Sequence, residues 1–546
     1  MKVVIIGAGI SGLTVAHELV EKGFEVEVYE KDSIAGGMAR STRTPSGVPS
    51  EHSWRGYAPF YYNAFEIMSR VPIQKKLSDY ERTDRDIITF KGQKYDLTEF
   101  IPKHPGGSII NRMLKSEKPL EQVWKDNKVA WHMKNPYVMS ILEKYKVGSE
   151  APPDVRDNLA QSGIDFKLLT NKRDGDTNIS LVDYPYLSYL FIKYAIVNKR
   201  RNNQTKLIDL MWPLQETSKQ YLIDYISGPG YGFDKNTISA NHYFCFAYQQ
   251  LYAGKHSWQV MNQPTSEAWI DPWVEYLTSK GVRFHFKSEM SSLTPGGAII
   301  NGELIKADEY VLATPPEIKV PNDQISFRFG FKRKISFEQH NIAFVLLDSK
   351  YNITFYPQDE HWSKEVNLGP VESLWSGTVI NGKDAVKLKP DELLAEIKRQ
   401  FLQSKYIRDI ISEDDIVYEE IFEDWYWDKK VKRLVSKNPK WVNSVNEVRP
   451  LNITEYPNMW ISGAHTKTTI DVWSMESAVE SGKLASNLIL EKYNMKKCLV
   501  IGHEIKIGKI DDPFYTVGLP HVLDCFLITL VLLILMKTVL PKKTKP

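Results

Sequence analysis

Apolar positions open the chain as an unbroken run, Val3-Val4-Ile5-Ile6, stopped by Gly7. A short apolar run bounded by glycine predicts a strand buried on both faces. Residues 11–21 predict a helix, and Glu25–Tyr29 a second strand that ends at Glu30. Residues 59–73 predict a helix, Glu267-Ala268-Trp269-Ile270-Asp271-Pro272-Trp273 leads another, and 282–286 reads as a strand. At the far end, 522–540 is largely apolar, with Asp524 and Lys537 near its ends.

Chemistry enters at the first turn. Gly7, Gly9 and Gly12 stand at GxGxxG spacing between strand and helix. Gly7 permits the tight turn, Gly9 lets backbone approach a pyrophosphate, and Gly12 lets the helix pack closely on the strand. The helix that opens at Ser11 aims its N-terminal amides at the phosphates. Glu30 is placed to accept hydrogen bonds from ribose hydroxyls. A dinucleotide site is predicted; the alternative is a glycine turn in a bare α/β unit.

Composition narrows the classes. A chain of 546 residues has room for two to four domains. A net charge of +3 supplies no broad field for nucleic acid, so no such partner is expected. Cys245, Cys498 and Cys525 are too scattered for a metal or redox motif, which fits a reducing compartment. Met1-Lys2 leads straight into a strand, so no cleavable signal peptide is expected. The apolar stretch 522–540 approaches the roughly 20 residues that cross a bilayer. Lys542, Lys543 and Lys545 follow it and favour the cytoplasmic side. A membrane segment over 519–540, crossing the bilayer or lying in its cytoplasmic leaflet, is expected; a buried helix is the alternative. The protein is expected to be membrane-associated, with its catalytic part facing the cytoplasm.

The run Lys31-Asp32-Ser33-Ile34-Ala35-Gly36-Gly37-Met38-Ala39-Arg40 resembles the flavoprotein amine oxidase and carotenoid desaturase superfamily. Glu51-His52-Ser53-Trp54-Arg55 is similar to the Glu-His segment of phytoene desaturase-like proteins. Ala307-Asp308-Glu309-Tyr310-Val311-Leu312-Ala313-Thr314-Pro315-Pro316 resembles their returning FAD-domain segment. Met459-Trp460-Ile461-Ser462-Gly463-Ala464-His465, followed by Ser474-Met475-Glu476-Ser477-Ala478, resembles their second flavin-contacting segment. The family usually has aspartate where Ala464 stands. The resemblance implies FAD rather than NAD. It adds Gly36, Gly37, Arg40, Gly463, Met475, Glu476 and Ala478 to Gly7, Gly9, Ser11, Gly12 and Glu30 as cofactor-binding residues.

Residues 84–150 resemble a cytochrome b5 domain, most specifically at His104-Pro105-Gly106-Gly107. Pro119-Leu120-Glu121-Gln122-Val123-Trp124 is closest to the variant fused to sulfite oxidases, although the spacing from Trp124 to His132 is longer here. The resemblance implies haem b with His104 and His132 as axial ligands, and two filled axial positions favour electron transfer. A haem-free interaction module is the alternative. The segment carries twelve Lys or Arg against nine Asp or Glu, whereas cytochrome b5 domains are usually acidic. That departure is compatible with a redox partner in the same chain.

The expected fold class is α/β: an FAD-binding Rossmann-type, amine oxidase/desaturase-like domain with an α+β substrate domain, an inserted cytochrome b5-like α+β domain and a C-terminal hydrophobic helix. The FAD-binding domain takes 1–74, 266–320 and 451–495, the substrate domain 151–265 and 321–450, and the haem domain 84–150. The substrate stretches are rich in aromatics, among them Tyr184, Tyr186, Tyr189, Trp212, Tyr231, Trp258, Trp425 and Trp427. Most are expected in the core and some along an apolar tunnel.

The expected function is FAD-dependent oxidation of an apolar isoprenoid or lipid, with the haem as an intramolecular electron relay. The external donor or acceptor has no sequence signal. A flavin amine oxidase is the nearest alternative, and a non-enzymatic prenyl escort protein the alternative of another class. His52, Arg55, His256 and His465 are polar groups expected near the flavin; no catalytic residue is assigned.

Overall fold

The computed structural model describes residues 1–52, 55–73, 87–90, 93–96, 146–147, 154–161, 165–169, 179–195, 205–219, 222, 237–252, 258–315, 323–337, 342–346, 349–363, 365–437, 449–470, 472–503 and 510–539. The chain divides into two compact units, one of Met1–Arg70 with Asn158–Pro546, the other Val71–Asp157.

The smaller unit carries a three-stranded antiparallel sheet of Ile87–Phe90, Gln93–Asp96 and Lys146–Val147. Its two ends meet: the Val155 amide donates to the Val71 carbonyl at 3.0 Å, beside a bridge between Pro72 and Asp154. Adjacent ends are what an inserted domain needs to leave its host chain unstrained. His104 and His132 lie outside the described residues, so the expected haem ligation has no structural account.

The larger unit is built on two sheets. In the first, β1 (Lys2–Ile6), β2 (Glu25–Tyr29), β3 (Arg283–His285), β4 (Glu309–Leu312) and β5 (Met459–Ile461) run parallel in the order β3-β2-β1-β4-β5. Val3, Val4, Ile5, Val26, Val28 and Val311 are fully buried. Helices or loops cover both faces of such a sheet, which is why its strands read as continuous apolar runs. Helix α1 (Ile10–Val20) follows β1. The remaining helices used below are α2 (Tyr62–Met68), α3 (Tyr184–Ala195), α4 (Ala240–Tyr252), α5 (Asp271–Ser279), α6 (Met475–Lys492) and α7 (Val522–Val539). Helices α1 and α6 cross tightly at Gly482, where a Cβ would stand 2.8 Å from the Ser11 carbonyl oxygen.

The second sheet has six strands, in the order Ile416–Ile421, Ile325–Phe331, Ser373–Val379, Ile353–Pro357, Ile342–Leu346, Asp165–Leu169. All pairs are antiparallel except the last. Two distant chain segments therefore meet in it. Phe327, Phe329, Phe331, Phe344, Phe355, Trp375 and Phe401 fill one aromatic core under it. Trp425 and Trp427 pack against that core, while Tyr184 and Trp212 are exposed. Tyr231 lies outside the described residues.

The helix expected over 59–73 is shorter, α2 alone, and α5 is preceded by one π-helical turn, Ser266–Ile270. Among the described residues no helix is long and apolar enough to cross a membrane. Helix α7 has 18 residues.

Candidate active site

A cavity of about 440 Å³ opens at the carboxyl ends of β1 and β2. Ligands of open parallel sheets bind at this edge. Gly7, Gly9, Ser11, Glu30, Gly36, Gly37, Arg40, Gly463, Met475 and Ala478 all line it. Glu30 is fixed before any ligand arrives: its Oε2 accepts from the Ala8 amide at 2.7 Å and its Oε1 from the Asp32 amide at 3.0 Å. Such prior bonding holds the carboxylate in one orientation at the cavity wall. Arg40 is held by Asp32 at 2.6 Å and Asp424 at 3.6 Å.

The cavity floor is backbone. Gly37 has φ +54°, and a Cβ there would stand 3.1 Å from the Cα of Gly9. A side chain on either loop would fill the cradle between them, so both glycines leave room for a pyrophosphate to meet amides directly. This is the fit expected for FAD, together with the preset Glu30 and the start of α1. Ser11 on α1 shares a short hydrogen bond with Ser462 after β5, which ties the two glycine turns together.

Two expected cofactor contacts fall elsewhere. Gly12 is absent from the lining; a Cβ there would sit 2.0 Å from the Gly7 carbonyl oxygen, so its role is close packing of α1 on the turn. Glu476 is also absent. Its buried carboxylate accepts from the Asn63 amide (2.9 Å), the Asn63 side chain (2.7 Å) and the Ala64 amide (2.8 Å). It satisfies the first-turn amides of α2, which would otherwise be orphaned by burial, and so anchors the helix carrying Met475 and Ala478. His503 stands 3.2 Å from Glu476 and 3.5 Å from Glu480. Burial pulls its pKa down, but the two carboxylates outweigh burial and hold it at about 9.

The other end of the cavity is lined by His52, Arg55, Tyr61, Trp258, His465 and Trp473. His52 Nδ1 lies 2.5 Å from Ser326 Oγ on the second sheet. His465 is pushed down to about 4 by burial and by the Arg449 guanidinium, so it is neutral at neutral pH. Arg55 donates to the Met38 carbonyl, and its buried Nε finds no acceptor among the described residues. His256 lies outside the described residues. Trp258 is one of the aromatics of which some are expected along an apolar tunnel, whereas Tyr61 and Trp473 have no expected site role. Of these two, only Trp473, one position before the Ser474-Met475 segment, had a local signal.

A family model described as flavin containing amine oxidoreductase matches residues 10–490. The chain belongs to that family. Membership places it among FAD-dependent oxidoreductases. The 15-cis-phytoene desaturase of Arabidopsis thaliana is 22% identical over 91% of this chain and 81% of its own length. The zeta-carotene desaturase of Synechocystis is 39% identical over 83 residues, 15% of this chain. That match spans only 17% of the desaturase, well under two thirds of its length. A cytochrome b5-like protein of Acanthamoeba polyphaga mimivirus is 42% identical over 65 residues, 12% of this chain and 47% of its own. A redesigned putrescine oxidase superposes with a TM-score of 0.52 at 11% identity, over 89% of this chain and 98% of its own, a likeness of fold.

Proposed function

We propose that the protein removes hydrogen from an apolar isoprenoid or lipid in an FAD-dependent, desaturase-type reaction, and that the inserted cytochrome b5-like segment relays the electrons through haem b. The observation that carries this reading is the charge at the far end of the cavity. Arg55 stands there with the neutral His465, and among the described residues the cavity's carboxylates, Glu30, Asp32 and Glu289, belong to other parts of the wall beside the nucleotide turn and Met290. The buried Glu51 carboxylate beside Arg55 lies outside this lining and accepts from the Thr265 amide at 2.6 Å and the Gln358 side chain at 2.7 Å, so an ammonium substrate would meet the guanidinium with no carboxylate on the lining at that end; an uncharged chain meets Tyr61, Trp258 and Trp473. That favours the desaturase reading over the amine oxidase reading.

Bound FAD would supply the hydride acceptor. Glu30 would hold the ribose, the Gly9 and Gly37 backbones would admit the pyrophosphate, and the aromatic end would exclude water and orient the substrate. Because His465 stays unprotonated, it adds no positive charge there. The segment related to the mimivirus cytochrome b5-like protein supports the haem relay. The C-terminal apolar stretch supports a membrane-associated protein with its catalytic part facing the cytoplasm, next to the phase that holds such a substrate.

Absorbance spectra of the purified protein, oxidised and then reduced, test the two-centre reading. Overlapping flavin and low-spin haem bands are expected, and flavin without haem would remove the relay. His104→Ala is expected to abolish the haem bands and leave FAD bound. Anaerobic addition of 15-cis-phytoene in vesicles is expected to bleach the flavin, while cyclohexylamine leaves it unchanged; the reverse result would install the amine oxidase reading.

A further inference from the structure

We propose that α3, the turn carrying Trp212 and the root of α7 form a single docking face for an anionic lipid surface. The inference deepens the membrane-associated reading above and rests on it. The elements are tied together by named bonds. Lys193 of α3 pairs with Asp524 of α7 at 2.8 Å, and Tyr189 also donates to Asp524. Tyr186 donates to the Leu210 carbonyl at 2.8 Å, which fixes the turn just before Trp212. The Gln215 amide donates to Asp183 at 3.2 Å, and the Ser180 amide to Ser218 at 2.7 Å.

What this framework presents to solvent is apolar. Leu181 is 84% exposed, Trp212 80% and Val182 67%, and Tyr184 and Ile192 are exposed beside them. Phe526, Leu527, Ile528 and Leu530 through Leu535 on α7 are exposed as well. Exposed apolar side chains on elements bonded to one another in this way point to an interaction site. The helix is apolar around its circumference, not along one stripe, and a protein groove covers only one side of a helix. Lipid covers every side. Tryptophan at the margin is the side chain that favours a membrane–water interface. The charges agree: Lys199, Arg200 and Arg201 follow α3 in the sequence, and Lys542, Lys543 and Lys545 follow α7, so basic residues flank both apolar elements.

The face is wired to the cavity through α4. Phe191 and Tyr194 of α3 lie against Phe244, with ring centroids at 6.3 and 5.7 Å. Phe246, two residues on, meets Phe60 at 5.4 Å, next to Tyr61 in the cavity wall. A lipid-borne substrate would thus leave its bilayer one helix away from the aromatic end of the site.

The test is flotation of the full-length protein with vesicles of equal parts phosphatidylcholine and phosphatidylserine. Leu181→Ser combined with Trp212→Ser is expected to lower the partition at least about tenfold, since two exposed apolar side chains lose their burial in lipid. Leu304→Ser, at another exposed leucine (55% against 84% for Leu181) on the strand Glu303–Ile305, is expected to leave it unchanged, and flavin content should be equal in all three proteins. A double variant that partitions like the parent overturns the docking face but leaves membrane association intact. Equal loss with Leu304→Ser overturns it too. A change in sedimenting mass without a change in partition assigns the face to a second copy of the chain. A parent protein that binds no vesicle removes the membrane reading as well.

Discussion

The two sheets of the larger unit solve different problems with different parts of the chain. The parallel sheet holds its ligand with backbone: glycines at Gly9 and Gly37, amides at the start of α1, and one carboxylate locked by two amides. The six-stranded sheet supports the opposite end with side-chain volume, a layer of aromatics in which Phe355 lies 4.3 Å from Phe401 and 4.8 Å from Phe344 between ring centroids. Backbone sites fail when any atom is added. Side-chain sites fail when atoms are removed. The distinction can be broken by mutation.

The largest effect is expected at Gly12. A Cβ there would stand 2.0 Å from a backbone oxygen, and backbone cannot rotate away as a side chain can. Gly12→Val should cost on the order of 5 kcal/mol and yield protein without flavin, read from the flavin absorbance and the urea midpoint. A Gly12→Val protein that kept FAD and its midpoint would mean that α1 does not need this approach to the turn. Next comes Phe355→Ala, where a cavity is left among packed rings. The expected loss is about 4 kcal/mol in urea unfolding, with FAD still bound stoichiometrically. If flavin is lost in step with Phe355→Ala, the two sheets are one cooperative element and the comparison collapses. A smaller effect, about 3 kcal/mol, is expected for Glu476→Ala, which strands the amides of Asn63 and Ala64 and leaves His503 short of a partner. Its signature is lost stability with the dinucleotide end intact.

The same division explains what could be read from the sequence. A backbone site is written in local spacing, so Gly7, Gly9, Glu30 and the first strand-helix-strand unit were legible within a few residues: α1 begins at Ile10, one position before the expected start. A side-chain site is assembled from distant segments. Tyr61, Trp258 and Trp473 come from three parts of the chain, and nothing in an isolated tryptophan separates a cavity wall from an ordinary core. Glu476 shows the limit inside a legible motif. Its neighbours Met475 and Ala478 face the cavity, yet its own carboxylate turns to α2, because three buried donors wait there. Of the membrane segment expected over 519–540, the described residues show a helix over Val522–Val539, and no described helix is long and apolar enough to cross a membrane.

The smallest effect separates two buried histidines within the cofactor-binding half. His503 is raised to about 9 by Glu476 and Glu480 against the pull of burial, so the folded state holds its proton more tightly than the unfolded chain. Its contribution is full below an unfolded pKa of about 6.5 and is lost as pH rises through 9. His465 has the opposite sign. Burial and Arg449 hold it at about 4, so folding disfavours its protonation, and stability falls as pH drops from about 6.5 toward 4. Each arm is on the order of 3 kcal/mol at its pH extreme and falls away toward neutral pH. Thermal melts between pH 4 and pH 10 should therefore fall at both ends for these two reasons. His503→Gln should flatten the alkaline fall and spare the acid one; His465→Gln should do the reverse. An alkaline fall unchanged by His503→Gln would show that the carboxylates of α6 are neutralised by other means.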